Sequence, residues 1–307
     1  MEELSSFVTN ESEVLQAISE LNMSSSPGPD GMTCEFLSKC RHSLAPVLTL
    51  LFNKSYSQAS FTDILKMAHI TLLFKGGDTS DPACYRPVSL TSNIARISEK
   101  VSRRKVIEHL VKNHLMPHSQ HGFVENHSTM TQLIEHLDSI IRLLDESEAV
   151  DVVYLDFAKA FDKLDHRLLI QRLGDLGIVG KARDWIKSFL MDRTQRVKVD
   201  GKLSDEKRVI SGMPQGTILG PLLFILFISP MSNIPQCSMI SSFADDTKII
   251  APRSANLQKD LNDIYDWVHS NNMEFNGSKF RVVSNGGGDI KSQRSIGQSY
   301  RGSRNCS

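Results

Sequence analysis

The sequence lacks the features of a secreted, disulfide-bonded or membrane-spanning protein. Its five cysteines include no CxxC pair and none at zinc-ligand spacing with the ten histidines. The most apolar run, LLFILFIS at 222–229, is far shorter than the roughly 20 residues that span a bilayer. The N-terminus is polar and acidic, unlike a signal peptide. We therefore expect reduced thiols and an intracellular protein without a membrane partner, in either nucleus or cytoplasm.

The 307 residues also lack an excess of charge, since 35 Lys and Arg balance 35 Asp and Glu. An anionic partner would therefore have to meet a local basic surface. One candidate is a predicted helix at 92–112, whose polar face carries Lys100, Arg103, Arg104 and Lys105. That face could follow the phosphates of a nucleic acid, or it could be an ordinary solvated helix surface.

Helical and strand-like patterns alternate irregularly, which predicts an α+β fold. The predicted helices cover 11–23, 33–41, 44–58, 92–112, 128–145, 164–173, 181–191 and 255–271, with an apolar helix from about 218. The predicted strands are a buried one at 68–74, one at 150–157, a hairpin at 196–203 that turns at Asp200-Gly201, and a pair around Asp245. From Gly286 onward the sequence has little apolar content, and we expect a disordered tail.

Three acids stand in strand-like surroundings, where charge is costly. Asp156 ends the run VVYLD, and Asp245 and Asp246 lie inside SFADDTKII. They could cap a helix and form a polar turn, or they could hold divalent metal. Two Mg²⁺ ions roughly 4 Å apart support in-line displacement at phosphorus, in a polymerase or in a nuclease or phosphatase. Adjacent strand residues face opposite ways, so both acids can approach Asp156 only if the chain turns tightly at ADD.

Seven short sequence motifs help to decide between a capping role and a metal-binding role for these acids. In order they are SPGPDG (26–31), YRPVSL (85–90), QHGF (120–123), YLDFAKAFDKLDH (154–166), SGMPQGTILGPLLF (211–224), FADDTK (243–248) and FNGSK (275–279). Over about residues 5–283 the chain resembles the reverse transcriptase domain of non-LTR (LINE-type, jockey-like) retrotransposons.

The resemblance implies an RNA-directed DNA polymerase, a nucleotidyltransferase that joins dNTPs to a primer 3′-hydroxyl on an RNA template. It implies a right-hand fold of fingers and palm, an antiparallel palm sheet packed on helices, and a missing or truncated thumb. The expected division is 1–148 for the fingers and N-terminal part, 149–285 for the palm, and 286–307 for the tail. Endonuclease and thumb functions are expected from sequence outside this chain. The alternative is a truncated, inactive remnant that binds nucleic acid without extending a primer.

The resemblance also implies roles for the acids and their neighbours. Asp156, Asp245 and Asp246 would be the catalytic residues and would bind two Mg²⁺ ions, or Mn²⁺ in their place, with Asp245 the direct ligand and Asp246 the outer one. Phe157 would lend its backbone carbonyl to the metal that carries the nucleotide. Phe161 would lie beneath the sugar and exclude a 2′-hydroxyl, with a core aromatic at a helix N-terminus as the alternative.

Five further residues would bind the incoming nucleotide. By resemblance, Gln215 and Gly216 lie against the nucleotide and template base, where a glycine permits close backbone approach; a plain helix-entry loop is the alternative. Lys75 and Arg86 would clamp the triphosphate, though Lys75 could be a solvated turn residue. Lys279 would be a general acid near the pyrophosphate, or simply a surface lysine.

Overall fold

The computed structural model describes residues 1–117, 120, 128–147 and 149–286. It confirms a mixed α+β fold. The helices are α1 Glu11–Ser19, α2 Cys34–Lys39, α3 Arg41–Ser57, α4 Asn93–Lys112, α5 Thr129–Glu146, α6 Ala160–Lys163, α7 His166–Asp175, α8 Gly180–Leu190, α9 Gly220–Ile228 and α10 Leu257–Ser270. The strands are β1 Met67–Phe74, β2 Tyr85–Thr91, β3 Val150–Leu155, β4 Thr194–Val199, β5 Lys202–Leu203, β6 Lys207–Arg208, β7 Met239–Phe243, β8 Asp246–Pro252 and β9 Arg281–Asn285.

The chain forms two compact units whose segments alternate along the sequence. Unit 1 comprises Met1–Met116 and His166–Leu223, and unit 2 comprises Pro117–Asp165 and Phe224–Ser307. The proposed division into fingers, palm and tail stays a prediction. The tail lies outside the described residues except for Gly286, as do residues 121–123 of the QHGF block. Among the described helices, none is both long and apolar enough to cross a membrane.

An aromatic cluster forms part of the helical core of unit 1. Trp185 is fully buried, and its ring meets Phe7, Tyr56 and Phe61 edge to face at centroid distances of 5.2–5.6 Å. Edge-to-face contact brings the positive ring edge to the negative face of its neighbour. Burial raises the pKa of Tyr56 to about 12. These packed rings join the N-terminal segment to α3 and α8.

Unit 1 also contains a five-stranded sheet. β1 pairs antiparallel with β2 and parallel with β4, while β5 and β6 both lie on the far edge of β4. The hairpin predicted at Asp200-Gly201 is confirmed: Val199 pairs with Lys202, and both turn residues have positive φ. The prediction that β1 is buried is wrong for its second half, since Leu72, Leu73 and Phe74 are exposed. β2 was not anticipated.

Unit 2 contains a four-stranded antiparallel sheet in the order β7-β8-β3-β9. β3 is buried on both faces, which its run of β-branched residues favours. Helix α5 packs Ile140, Leu143 and Leu144 onto the cluster formed by Val150, Val152 and Ile250. β9 was not anticipated from the sequence, yet it covers one edge of the central strand.

A buried carboxylate holds the segment that leads into β7. Asp260, on α10, is fully buried and accepts hydrogen bonds from the backbone N–H groups of Gln236 and Cys237 at 3.0 Å and from the Ser238 hydroxyl at 2.7 Å. Three donors satisfy this carboxylate, so its burial does not leave an unpaired charge.

We expect Asp260→Ala to lower the free energy of unfolding by about 1–3 kcal/mol, because three donors lose their acceptor. Urea unfolding measures the change. The matched control is Asp266→Ala, an exposed acid on the same helix, for which about 0.5 kcal/mol or less is expected. Equal losses in the two variants would contradict the interpretation of Asp260 as an anchor.

Candidate active site

The two adjacent acids lie at a tight turn between β7 and β8. Phe243 pairs with Asp246, so Ala244 and Asp245 alone form the loop. Ala244 adopts φ 55°, a left-handed conformation that is strained for a residue with a Cβ. The alternation of side chains between the two faces of a strand therefore does not apply at Asp245, which is half-buried in the turn. Asp246 begins β8 and is exposed.

A distant side chain holds this turn. The buried amide of Gln120 accepts a hydrogen bond from the Ala244 N–H at 2.8 Å and donates one to the Ala244 carbonyl at 3.3 Å. Sequence reasoning missed this role, although Gln120 opens the QHGF block. Because 124 residues separate the partners, no local spacing could reveal the contact.

The FNGSK block brings a lysine to the end of β3. The Asn276 N–H donates to the Asp156 carbonyl at 2.7 Å, and the Asn276 side chain caps a short 3₁₀ turn, Gly277–Lys279. The turn places Lys279 Nζ 2.9 Å from Asp156 Oδ2. This ion pair favours a site role for Lys279 over that of an unattached surface lysine.

The acids act on one another electrostatically. Burial raises the pKa of Asp245, and the charges of Asp246 and Asp156 raise it further, whereas its own backbone N–H and Lys279 oppose the shift. The hydrogen bond to Asp156 raises the pKa of Lys279, as do the charges of all three acids. The cluster therefore has more negative charge than one lysine neutralises, which favours binding of a further cation.

This charge balance suits divalent metal, whose preferred ligands are carboxylate oxygens. Within the described part of the chain, no three His, Cys, Asp or Glu side chains are already arranged around one ion position. The roles of Asp156, Asp245 and Asp246 as metal ligands stay a prediction, supported by their mutual repulsion.

Aromatic rings lie beside Asp156. Phe157 is buried, with its ring centroid 4.8 Å from that of Phe275, and Phe161 stacks on Phe224 at 4.8 Å. Phe161 remains half-exposed, so it combines a packing contact with an accessible face. Its part in sugar selection, like the use of the Phe157 carbonyl, stays a prediction.

A cleft of about 490 Å³ opens next to these residues within unit 2. Asp156, Asp246 and Lys279 line it, together with Tyr154 and Lys248 from the middle of the sheet. Burial lowers the pKa of Lys248, and the charge of Asp246 opposes that shift. The cleft thus combines the acids with cations that suit a phosphorylated ligand.

The predicted nucleotide-binding loop belongs to unit 1. The Gln215 carbonyl accepts a hydrogen bond from the Ser89 N–H at 2.7 Å, which ties the loop to β2. Gly216 has φ 107°, and a Cβ there would lie 2.9 Å from the Ser89 carbonyl oxygen. Glycine is therefore required at this position because the backbone of Gly216 lies close to β2.

A buried acid holds the other end of this loop, and the sequence analysis missed it. Glu99 is fully buried, and its Oε2 accepts hydrogen bonds from the N–H groups of Ile218 at 2.7 Å and Leu219 at 3.0 Å. Burial raises the pKa of Glu99, while these N–H groups and the charge of Arg193 oppose it. The available signal was an acid on the inward stripe of α4, next to Ile97 and Val101 on the buried face.

The remaining predicted cations lie in unit 1 as well. Lys75 and Arg86 are exposed near the turn of the β1–β2 hairpin, where Leu73 pairs with Arg86. Their triphosphate contacts stay predictions, as do those of Gln215 and Gly216.

The basic face of α4 is largely neutralised within unit 1. Lys100 and Arg104 form ion pairs with Glu20, and Lys105 pairs with Glu13. This pairing favours a structural role for the face over a template-binding one.

Comparison with known proteins decides the family. A family model described as reverse transcriptase (RNA-dependent DNA polymerase) matches residues 75–299. The chain belongs to this family.

This reverse transcriptase domain is 29% identical over 246 residues to a probable RNA-directed DNA polymerase from transposon BS of Drosophila melanogaster, covering 78% of this chain and 27% of the relative. It is also 29% identical over 286 residues to the RNA-directed DNA polymerase from mobile element jockey of the same species, covering 89% and 31%. It is thus related to jockey-like non-LTR retrotransposon polymerases and spans less than a third of the length of these relatives.

The fold of this reverse transcriptase domain resembles that of apo telomerase from Candida tropicalis truncated from its C-terminal domain. The TM-score is 0.55 with 16% sequence identity, over 81% of this chain and 56% of the telomerase chain. The likeness concerns the fold.

We expect Gln120→Ala to loosen the turn at Ala244. Losing the acceptor of the Ala244 N–H should raise amide hydrogen exchange across 243–246 about fivefold, since one such hydrogen bond contributes about 1 kcal/mol. The control is Gln132→Ala, a buried glutamine of unit 2 whose amide faces the Ser241 hydroxyl at 3.5 Å. Unchanged exchange in Gln120→Ala would show that the hairpin holds its own turn.

We expect Gly216→Ala to destabilise unit 1 more than Gly201→Ala does. Both glycines have positive φ, but a Cβ at Gly201 would meet open space. The control should therefore cost about 1 kcal/mol, and Gly216→Ala about 1–3 kcal/mol more, measured by urea unfolding. Equal costs would mean that the contact with β2 relaxes freely.

Proposed function

We propose that this chain is the fingers-and-palm core of an RNA-directed DNA polymerase that adds dNTPs to a primer 3′-hydroxyl opposite an RNA template. The observation that carries the proposal is the charge cluster of unit 2. Asp245 lies in the β7–β8 turn where the charges of Asp156 and Asp246 act on it, and Lys279 pairs with Asp156.

The carboxylates of Asp156, Asp245 and Asp246 would hold a pair of Mg²⁺ or Mn²⁺ ions; Asp245 would be a direct ligand, Asp246 the outer one, and the Phe157 carbonyl would serve the ion that carries the nucleotide. Such ions supply Lewis acidity to the attacking hydroxyl and to the phosphate oxygens. The turn held by Gln120 fixes Asp245 before any ligand arrives. This preorganisation lowers the cost of orienting the reacting groups.

Lys279 is the proposed proton donor. The hydrogen bond to Asp156 and the charges of the acids raise its pKa and so keep it protonated, and its side chain is 62% exposed and so accessible to a leaving group. We propose that it protonates the departing pyrophosphate. Arg86 and Lys75 contact the triphosphate, and Gln215 and Gly216 lie against the nucleotide, in keeping with the family resemblance.

Phe161 is the proposed sugar gate. Its stacking on Phe224 fixes the ring plane, and its exposed face is available to a deoxyribose. A ribose 2′-hydroxyl in that place would meet an aromatic surface that cannot accept a conventional hydrogen bond, which disfavours ribonucleotides.

The test is primer extension on poly(rA)/oligo(dT) with dTTP and Mg²⁺ or Mn²⁺. We expect incorporation by the wild-type chain and a loss of about 100-fold or more in Asp245→Asn, because a carboxylate ligand becomes a neutral amide. Asp138→Asn, an exposed acid on α5 of the same unit, is the matched control and should retain activity.

Two results would oppose the proposal. No incorporation by wild-type protein that still binds the template would support the inactive nucleic-acid-binding remnant. Wild-type rates in Asp245→Asn would remove Asp245 from the reaction.

A further inference from the structure

The loop between β6 and α9 is held by other elements of unit 1 at three points. His166, the first residue of α7, donates its Nε2–H to the Gly212 carbonyl at 2.6 Å, since a carbonyl oxygen can only accept. The Gln215 carbonyl accepts from the N–H group of Ser89, on β2. The third point is Glu99, on α4, whose carboxylate accepts from N–H groups at the C-terminal end of the loop. Gln215 therefore lies between two further anchors, one on each side.

The loop is also packed against itself. Thr217 is buried, and its hydroxyl donates a hydrogen bond to the Pro214 carbonyl at 2.9 Å. A Cβ on Gly220 would lie 2.5 Å from that hydroxyl oxygen and 3.0 Å from the Met213 sulfur. Close packing of this kind transmits a displacement to neighbouring atoms. A shift at the C-terminal end of the loop would therefore reach Gln215.

Among these anchors, Glu99 is the buried charged group. It is fully buried, and burial raises the pKa of its carboxyl group. Its Oε2 accepts from the N–H groups of both Ile218 and Leu219, whereas its Oε1 has no hydrogen-bond partner in the part of the chain that the structure describes. A single carboxylate oxygen therefore holds both N–H groups.

These two N–H groups lie at the entrance to α9, where backbone donors have no acceptor within the helix. Leu219 directly precedes Gly220, the first residue of α9, and its apolar side chain cannot cap a helix. Glu99 provides the acceptor from a position more than 100 residues earlier in the chain. The start of α9, and with it the end of the loop, is thus fixed by a side chain of another helix.

Stability alone does not account for an acid at this position. Replacing buried charged groups by apolar side chains of similar volume is often neutral or stabilising. The charge of Arg193 partly compensates that of Glu99, which makes the buried acid tolerable. The hydrogen bonds to Ile218 and Leu219 are the contacts of Glu99 that have a defined direction, and they are made to the loop.

We propose that Glu99 is a positioning residue for the incoming nucleotide, on which it acts through the loop without touching it. By fixing the two N–H groups before α9, Glu99 keeps Gln215 and Gly216 in the arrangement that receives a dNTP. A loop that already has this arrangement loses less conformational freedom on binding, so the affinity for dNTP is higher. The inference rests on the proposed function, which brings Gln215 and Gly216 against the nucleotide.

The experiment measures dTTP binding by the full chain in a complex that cannot react. The complex contains poly(rA), an oligo(dT) primer that ends in a dideoxynucleotide, and Mg²⁺. Because no 3′-hydroxyl is present, titration with labelled dTTP gives the Kd without incorporation. Amide hydrogen exchange at Ile218 and Leu219 reports separately on the anchor.

Three variants separate positioning from stability. Glu99→Leu removes the acceptor. Glu99→Gln keeps an acceptor oxygen, and its amide nitrogen takes the place of the unpaired Oε1. The matched control is Val106→Ala, which removes buried apolar volume from the same helix about two turns further along.

For Glu99→Leu we expect the Kd for dTTP to rise about tenfold and amide exchange at Ile218 and Leu219 to increase, since both N–H groups lose their acceptor. For Glu99→Gln the Kd should stay within about threefold of the wild-type value, because the hydrogen bonds to the loop are kept. Val106→Ala should unfold at lower urea concentration and change the Kd about twofold or less.

Primer extension provides a second readout. Destabilisation reduces the number of folded molecules and so lowers the apparent kcat at unchanged KM, whereas a displaced loop raises the KM for dTTP. Glu99→Leu should therefore raise KM, and Val106→Ala should not.

Two results would overturn the inference. Equal increases of the Kd in Glu99→Leu and Val106→Ala would indicate a general effect of lost stability. An increase in Glu99→Gln as large as that in Glu99→Leu would show that the charge matters and the fixed N–H groups do not. If Glu99→Leu does not fold, Glu99→Asp decides, because it keeps the charge but is one methylene too short to hold the loop. Its Kd for dTTP should rise, and an unchanged Kd would overturn the inference.

The outcome is separable from that of the proposed function. A chain that extends no primer but binds dTTP with the expected order of affinities keeps the inference and loses the polymerase assignment. A chain that extends primers with the same KM for dTTP in all variants does the reverse.

Discussion

Strand β3 forms hydrogen bonds along both of its edges, and the candidate active site depends on that double pairing. On one edge β8 brings the turn with Asp245, and on the other β9 follows the segment that delivers Lys279. At the opposite end of the same strands, buried Asp151 accepts from the Ser284 hydroxyl at 2.7 Å and lies 3.4 Å from Arg253 Nε. A one-residue slip of either neighbour would turn its side chains to the wrong face, so this polar contact helps to fix the register on which the acids rely.

Unit 1 uses a buried acid for a comparable purpose. Glu99 caps the first N–H groups after the Gln215-Gly216 loop, and burial lowers the pKa of nearby Arg193 to about 10. The Arg193 guanidinium lies 5.0 Å from the centre of the Phe189 ring and donates to the Phe189 carbonyl at 2.9 Å. Glu99 and Arg193 are both buried, so water cannot compensate either charge. Removing one of them would therefore leave the charge of the other poorly compensated. The loop is therefore positioned from within the core.

Features held by interactions between residues close in sequence could be predicted, and features held by distant residues could not. The turn at Asp200-Gly201 was found because its turn residues adopt positive φ values within a hairpin of a few residues. Strands β2 and β9 were missed because their pairing partners are distant and their own patterns are short. The roles of Asp156 and Asp245 were proposed from family resemblance and stay a prediction, whereas the tight turn at Asp245 was anticipated by a conditional argument and is present. Gln120 and Glu99 were missed because each acts on backbone atoms more than 100 residues away.

The strained turn at Ala244 also has a kinetic consequence. A hairpin of β7 and β8 alone contains neither a glycine at the positive-φ position nor the amide that satisfies the Ala244 peptide. The final geometry of the turn therefore requires Gln120 to reach Ala244, which closes a loop of more than one hundred residues. Local pairing of β7 with β8 can form before that loop closes. During synthesis Gln120 emerges from the ribosome long before Ala244, so the hydrogen bonds between them can form only after Ala244 has emerged. The turn is accordingly expected to reach its final shape late in folding, after the hairpin has formed.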